Sequence, residues 1–114
     1  MTQMIYHMCR ADEWVAATKT GTYHGSSQDL ADGFIHFSTA VQIVESAKRH
    51  RAGQDGLLLV AVDADKLGDR VKWEPACNGD LFPHLYGPLD PIETTSVRPL
   101  PLGVDGQHIF PALT

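Results

Sequence analysis

A chain of 114 residues, 43% of them hydrophobic and 20% charged, supports one hydrophobic core, is too short for two, and is not a disordered composition. Its formal charge of −5 excludes the broad basic surface of non-specific nucleic-acid binding but allows one local anion site. No apolar run approaches the roughly 18 residues of a membrane span, and the opening stretch lacks the basic flank and apolar segment of a signal peptide.

The chain reads as one domain over 1–114, with a core at about 4–100 and a tail over 101–114. Met4 to Cys9 is short, apolar and β-friendly, which predicts a first strand. Arg10 to Lys19 follows as a helix, with Asp12 and Glu13 at its positive end, Trp14 and Ala17 on one face, and Gly21 as its stop. Thr22 to Gly33 is irregular apart from Ser26 to Asp29, a capping box that starts one short helical turn.

Phe34 to Ser38 predicts a strand with Phe34, His36 and Ser38 on one face and Ile35 and Phe37 on the other. Thr39 and Gln42 form a second capping box, opening a helix to about His50 whose apolar face is drawn from Val41, Ile43 or Val44, and Ala47. Leu57 to Val62 is an almost unbroken aliphatic run, which predicts a central strand buried on both faces. Asp63 to Asp69 reads as a turn, and Val71 to Glu74, Phe82 to Tyr86 and Thr94 to Leu100 as further strands. The tail, with Pro101, Gly103, Gly106 and Pro111, is expected to wrap the surface without adding to the core. The fold class is therefore α+β, with two small, mostly antiparallel sheets and two or three helices.

Six histidines lie in the chain, and three of them sit on predicted strands beside aromatic residues: His7, His36 and His84. An imidazole on a rigid strand can hydrogen-bond a sugar or carbonyl, take a proton near neutral pH, or bind a metal. Each one taken singly reads as a satisfied, half-buried histidine; His7 and His36, each centred on its strand, read together as a site. His24, His50 and His108 read as solvent-facing or loop-borne. Glu74, after Trp73 at a strand end, is a carboxylate able to stabilise a cationic transition state. Zinc is not favoured, because neither HxxxH nor CxxC is present, although His7, His36 and His84 could assemble a site from afar. Cys9 and Cys77 read as reduced thiols of a cytoplasmic protein. Phosphate loops and a GxSxG elbow are both missing.

Taken together, Ile5-Tyr6-His7, Gly33-Phe34-Ile35-His36-Phe37-Ser38, Trp73-Glu74 and Phe82-Pro83-His84-Leu85-Tyr86-Gly87 resemble the bacterial domain-of-unknown-function family 952 (DUF952), from about Met4 to Pro99. That resemblance implies an ADP-ribosyltransferase-like fold, two small sheets forming a cleft. Tyr6-His7 and Ile35-His36-Phe37-Ser38 are also distantly similar to motifs of RNA 2′-phosphotransferases. The similarity implies His7 at the nicotinamide-side ribose of NAD and His36 beside it. The third-strand position that is Glu in protein-modifying transferases falls near His84 or Leu85, and the chain carries few of the arginines that hold phosphates in the phosphotransferases.

The functional expectation is a domain that binds NAD or a related nucleotide in a histidine-lined cleft, with glycosyl transfer or hydrolysis at the nicotinamide ribose as its chemistry. His7, His36 and Glu74 are the catalytic candidates; Ser38, His84, Tyr86 and Arg10 are the ligand-binding ones. The alternatives are a non-catalytic binding module on the same fold and a histidine-based, metal-dependent hydrolase. The expected partner is a small nucleotide, not a nucleic acid or a membrane.

Overall fold

At the centre of the fold, β1 (Met4–Arg10) lies antiparallel to β4 (Leu57–Asp63) from Met4 opposite Asp63 to Arg10 opposite Leu57. This computed structural model describes residues 3–76 and 79–113. On its other side β4 pairs with β7 (Thr94–Leu100), and the two-residue β3 (Ser38–Thr39) adds to β1, giving the order β3-β1-β4-β7. The aliphatic run is thus an inner strand, as its composition predicts: Val60 and Val62 are fully buried, and half-buried Leu58 packs against the core.

A second antiparallel sheet has the order β2-β6-β5, built from β2 (Ile35–His36), β5 (Val71–Pro75) and β6 (Leu81–Leu85). One core lies between the two sheets, where Ile5, Cys9, Val60 and Val62 meet Ile35, Phe37 and Leu85 under Trp14 and Tyr23. A second core covers the opposite face of the first sheet, where Tyr6, Met8, Leu59 and Leu100 pack beneath α3 (Ala40–His50).

Phe34 to Ser38 is not one strand. After His36 the chain leaves the second sheet, Phe37 donates its N–H to the Pro83 carbonyl at 3.0 Å, and Ser38 pairs with Tyr6 in the first sheet. The two-residue alternation survives the crossing: Ile35 and Phe37 join the core between the sheets, while Ser38 turns its hydroxyl to Ser46 of α3. One short segment therefore ties both sheets together.

The helices number four among the described residues, more than the two or three expected. α1 (Ala11–Thr20) starts one residue later than expected, because Arg10 ends β1; Trp14 and Ala17 are its buried residues. α2 (Ser27–Asp32) begins at the Ser26–Asp29 capping box and stops at Gly33, whose φ of 86° returns its N–H to Asp29. Where a turn was expected after Asp63, α4 (Ala64–Leu67) forms, capped by the Asp63 side chain and followed by a 3₁₀ turn over Gly68–Arg70. Among the described residues no helix is long and apolar enough to cross a membrane.

In α3, Ile43 and Ala47 are the buried positions, while Val41 is 91% exposed. The expected apolar face is corrected accordingly: residues four apart share a face, and Val41 lies off the one that Ile43 and Ala47 occupy. The Thr39 hydroxyl accepts the Gln42 N–H at 3.3 Å, the Gln42 side chain accepts the Thr39 N–H at 3.0 Å, and its amide donates to the Leu81 carbonyl at 2.8 Å. Thr39→Ala should therefore lower stability by roughly 0.5–2 kcal/mol in urea denaturation. The tail also departs from expectation, since Phe110 and Leu113 pack against the second core. Cys77 lies outside the described residues.

Candidate active site

β3 covers β1 only at Ile5 and Tyr6. Past that point the outer edge of β1 borders a groove, and Arg51 donates there to the Met8 carbonyl at 3.3 Å. The groove encloses about 1100 Å³ and is walled by α3, α2 and β6. Its lining includes His36, Phe82 and His84, and also Arg10, Arg49 and Arg51.

His7 forms the floor, 3% exposed, with both ring nitrogens in use. Nδ1–H donates to the His36 carbonyl at 2.6 Å, and because a carbonyl can only accept, this fixes the tautomer. Nε2 then accepts from the Tyr23 hydroxyl at 2.7 Å. Burial pushes the His7 pKa down and outweighs the opposing pull of Asp29 and of the His36 carbonyl, so the ring is neutral. The Tyr23 hydroxyl also bonds the Cys9 thiol, whose pKa burial drives up to about 12; Cys9 is an inert thiol.

Asp29 is the hub, itself 3% exposed. Its Oδ1 accepts from the His36 ring Nδ1 at 2.5 Å and from the His36 backbone N–H at 3.1 Å. Oδ2 accepts from the Ser26 N–H at 2.7 Å and the Ser26 hydroxyl at 3.1 Å, and lies 3.7 Å from His7 Nε2. Burial alone would raise this carboxyl's pKa, but the His36 hydrogen bond, the nearby His7 and the two backbone amides outweigh it and hold the pKa at about 2. Asp32 faces the other His36 nitrogen at 3.1 Å.

On the second sheet, His84 Nδ1 lies 2.8 Å from Glu74 Oε1, and the Tyr86 hydroxyl donates to the same oxygen at 2.7 Å. These donors hold the Glu74 pKa below its ordinary value. Phe34 stacks on His84 with ring centroids 4.1 Å apart.

The family model described as a protein of unknown function, DUF952, matches residues 8–98. The chain belongs to that family. Among solved structures, this DUF952 protein is similar to protein CC0527 from Caulobacter crescentus. The X-ray structure of CC0527 is 44% identical, with 93% of each chain covered and a TM-score of 0.89. Its solution NMR structure is 45% identical over 91% of this chain and 90% of that one, with a TM-score of 0.83. None of the curated proteins matches the chain.

In this DUF952 chain the strand histidines His7 and His36 come together, joined by one hydrogen bond and by Asp29, although they lie on different sheets. His7, expected at the nicotinamide-side ribose, is enclosed, with both ring nitrogens bonded to protein groups. His84, Glu74 and Tyr86 form their own cluster, and the rings of His36 and His84 lie 5.5 Å apart. Ser38 is buried, its hydroxyl 3.1 Å from that of Ser46. Arg10 is largely exposed and lies 3.5 Å from Asp12.

Among the described residues no three His, Cys, Asp or Glu side chains could hold a metal ion, so the metal-dependent reading has no donor set there. His24 and His50 are exposed, and His108 bonds the Gln54 carbonyl at 2.7 Å. Asp29 is the residue that sequence reasoning missed as part of the site. The capping box revealed its local role, and nothing in the spacing revealed that its carboxylate also reaches two histidines.

Proposed function

We propose that the groove binds a nucleotide ligand of the NAD class, on an ADP-ribosyltransferase-like arrangement of the two sheets. The observation that carries this reading is the groove itself, one continuous space of about 1100 Å³ lined by both histidines and arginines. Small-molecule sites usually enclose about 300–1,000 Å³, so this one suits a long ligand with two unlike ends. Imidazoles beside Phe82 suit ribose hydroxyls and an aromatic base. Guanidinium groups suit phosphate oxygens. Asp29 and Asp32 place negative charge where a cationic nicotinamide ring would be favoured. The similarity of Tyr6-His7 and Ile35-His36-Phe37-Ser38 to RNA 2′-phosphotransferase motifs supports the same ligand class. Glycosyl transfer or hydrolysis at the nicotinamide ribose is the reaction such a site would perform.

A second reading, binding without turnover, is favoured by one specific observation. Asp29, Asp32 and Glu74 each face a histidine, so all three carboxylates are already engaged by the protein. Thermal melts with NAD, ADP-ribose, nicotinamide and divalent metals, paired with an assay for nicotinamide release, test both. At a hundredfold excess over its dissociation constant a ligand adds about 2.7 kcal/mol, a shift of several degrees. NAD and ADP-ribose should both raise the melting temperature, and release of nicotinamide separates catalysis from binding. No shift with either nucleotide rejects the nucleotide reading.

A further inference from the structure

His36 and His84 are register partners on adjacent strands, yet their ring nitrogens are differently committed. Both nitrogens of His36 face carboxylates, Asp29 on one side and Asp32 on the other. His84 commits only Nδ1, to Glu74. A carboxylate accepts and does not donate, so in the neutral ring the proton sits on Nδ1 and the lone pair on Nε2. Tyr86 holds the same Glu74 oxygen, and Phe34 fixes the plane of the ring. Among the described residues Nε2 has no hydrogen-bond partner, and it is not a sealed-off atom either. His84 lines the groove, so Nε2 is the ring nitrogen left for a ligand there.

We propose that His84 Nε2 is the groove's hydrogen-bond acceptor for a ligand hydroxyl, with Glu74 and Tyr86 as positioning residues that hold its tautomer. This changes the part assigned to Glu74. The sequence suggests a carboxylate acting directly on a reacting ligand, whereas its oxygen is taken up by two protein donors and acts through His84. The ligand class is one that presents sugar-type hydroxyls; the identity of that ligand as a ribosyl nucleotide rests on the reading above, but the tautomer does not.

Two measurements test it. Long-range ¹H–¹⁵N correlation of the histidine rings in the full chain should show His84 in the Nδ1–H form, and Glu74→Ala should shift it toward Nε2–H. Titration with ADP-ribose and, separately, with D-ribose should move the His84 Nε2 resonance. His84→Phe, which keeps a ring against Phe34, should bind ADP-ribose at least tenfold more weakly, and Glu74→Ala, several-fold more weakly, provides the same check should His84→Phe fail to fold. If ADP-ribose fails to bind while D-ribose still perturbs Nε2, the nucleotide reading falls and the acceptor stands. An Nε2–H tautomer in the parent protein, or no response of Nε2 to either probe, overturns the proposal.

Discussion

Asp29→Ala is expected to lower the unfolding free energy by roughly 3–5 kcal/mol, the usual cost of removing one partner from a buried, charge-assisted cluster. Four donors converge on this carboxylate: the ring and backbone N–H of His36, and the backbone N–H and hydroxyl of Ser26. Its loss removes the side-chain half of the α2 capping box, although the Ser26 hydroxyl still accepts the residue-29 N–H, and leaves donors from Ser26 and β2 without their acceptor, so the damage reaches beyond one helix turn. Asn is the informative control. It keeps the shape and one acceptor but turns an amide toward the donors on the other side, so its loss should fall between those of the parent and Ala. The pH dependence should carry the same signature. The Asp29 pKa falls from 3.8 to about 2 on folding, so its contribution is present above pH 3.8 and disappears as pH falls toward 2. A shift of that size corresponds to roughly 2 kcal/mol. Urea midpoints for the parent and both variants across that range measure all of this. A loss below 1 kcal/mol for Asp29→Ala would show that the hub is not holding the sheets together.

Where the fold was legible, a short stretch of sequence carried the whole cause. Leu57 to Val62 had no polar side chain to send to solvent, so an inner strand was the only comfortable place for it. Ser26 with Asp29 and Thr39 with Gln42 each close a hydrogen-bonded box within four residues. What stayed hidden depends on neighbours that sequence does not announce. The alternation of Phe34 to Ser38 is the same whether the segment is one strand or crosses between two, and only the pairings with Leu85 and Tyr6 decide.

The candidate site divides the same way. His7, His36 and His84 stand out by residue type. The pairing of Glu74 with His84 follows from register: Glu74 is opposite Phe82, and His84 lies two residues further along on the same face. A slip of one residue would have put them on opposite faces. Asp29 was legible as a cap and illegible as a histidine partner, because its bonds to His36 depend on how the turn at Gly33 folds β2 back against α2.

His7→Gln should cost roughly 1–3 kcal/mol, because each ring nitrogen has a buried partner that the amide cannot satisfy in the same geometry. Tyr6 and Met8 supply the apolar packing on the other face of β1, so packing alone does not assign His7 a structural part. The hydrogen bonds decide the matter. Nδ1–H reaches across to the carbonyl of His36 on the second sheet, and Tyr23 closes the ring from α1's side of the core. The pH dependence separates this residue from Asp29. The folded His7 pKa lies below its ordinary 6.5, so the unfolded chain takes up the proton first as pH falls. Its contribution is therefore complete above pH 6.5 and is lost as pH drops through 6.5 toward the lower folded value. In the parent, stability should decline in two stages, one starting below pH 6.5 from His7 and one below pH 3.8 from Asp29. In His7→Gln the upper stage should flatten while the lower one remains. A variant that melts with the parent and keeps the upper stage would show that His7 does not join the two sheets, and that another group sets the stability of the groove floor near neutral pH.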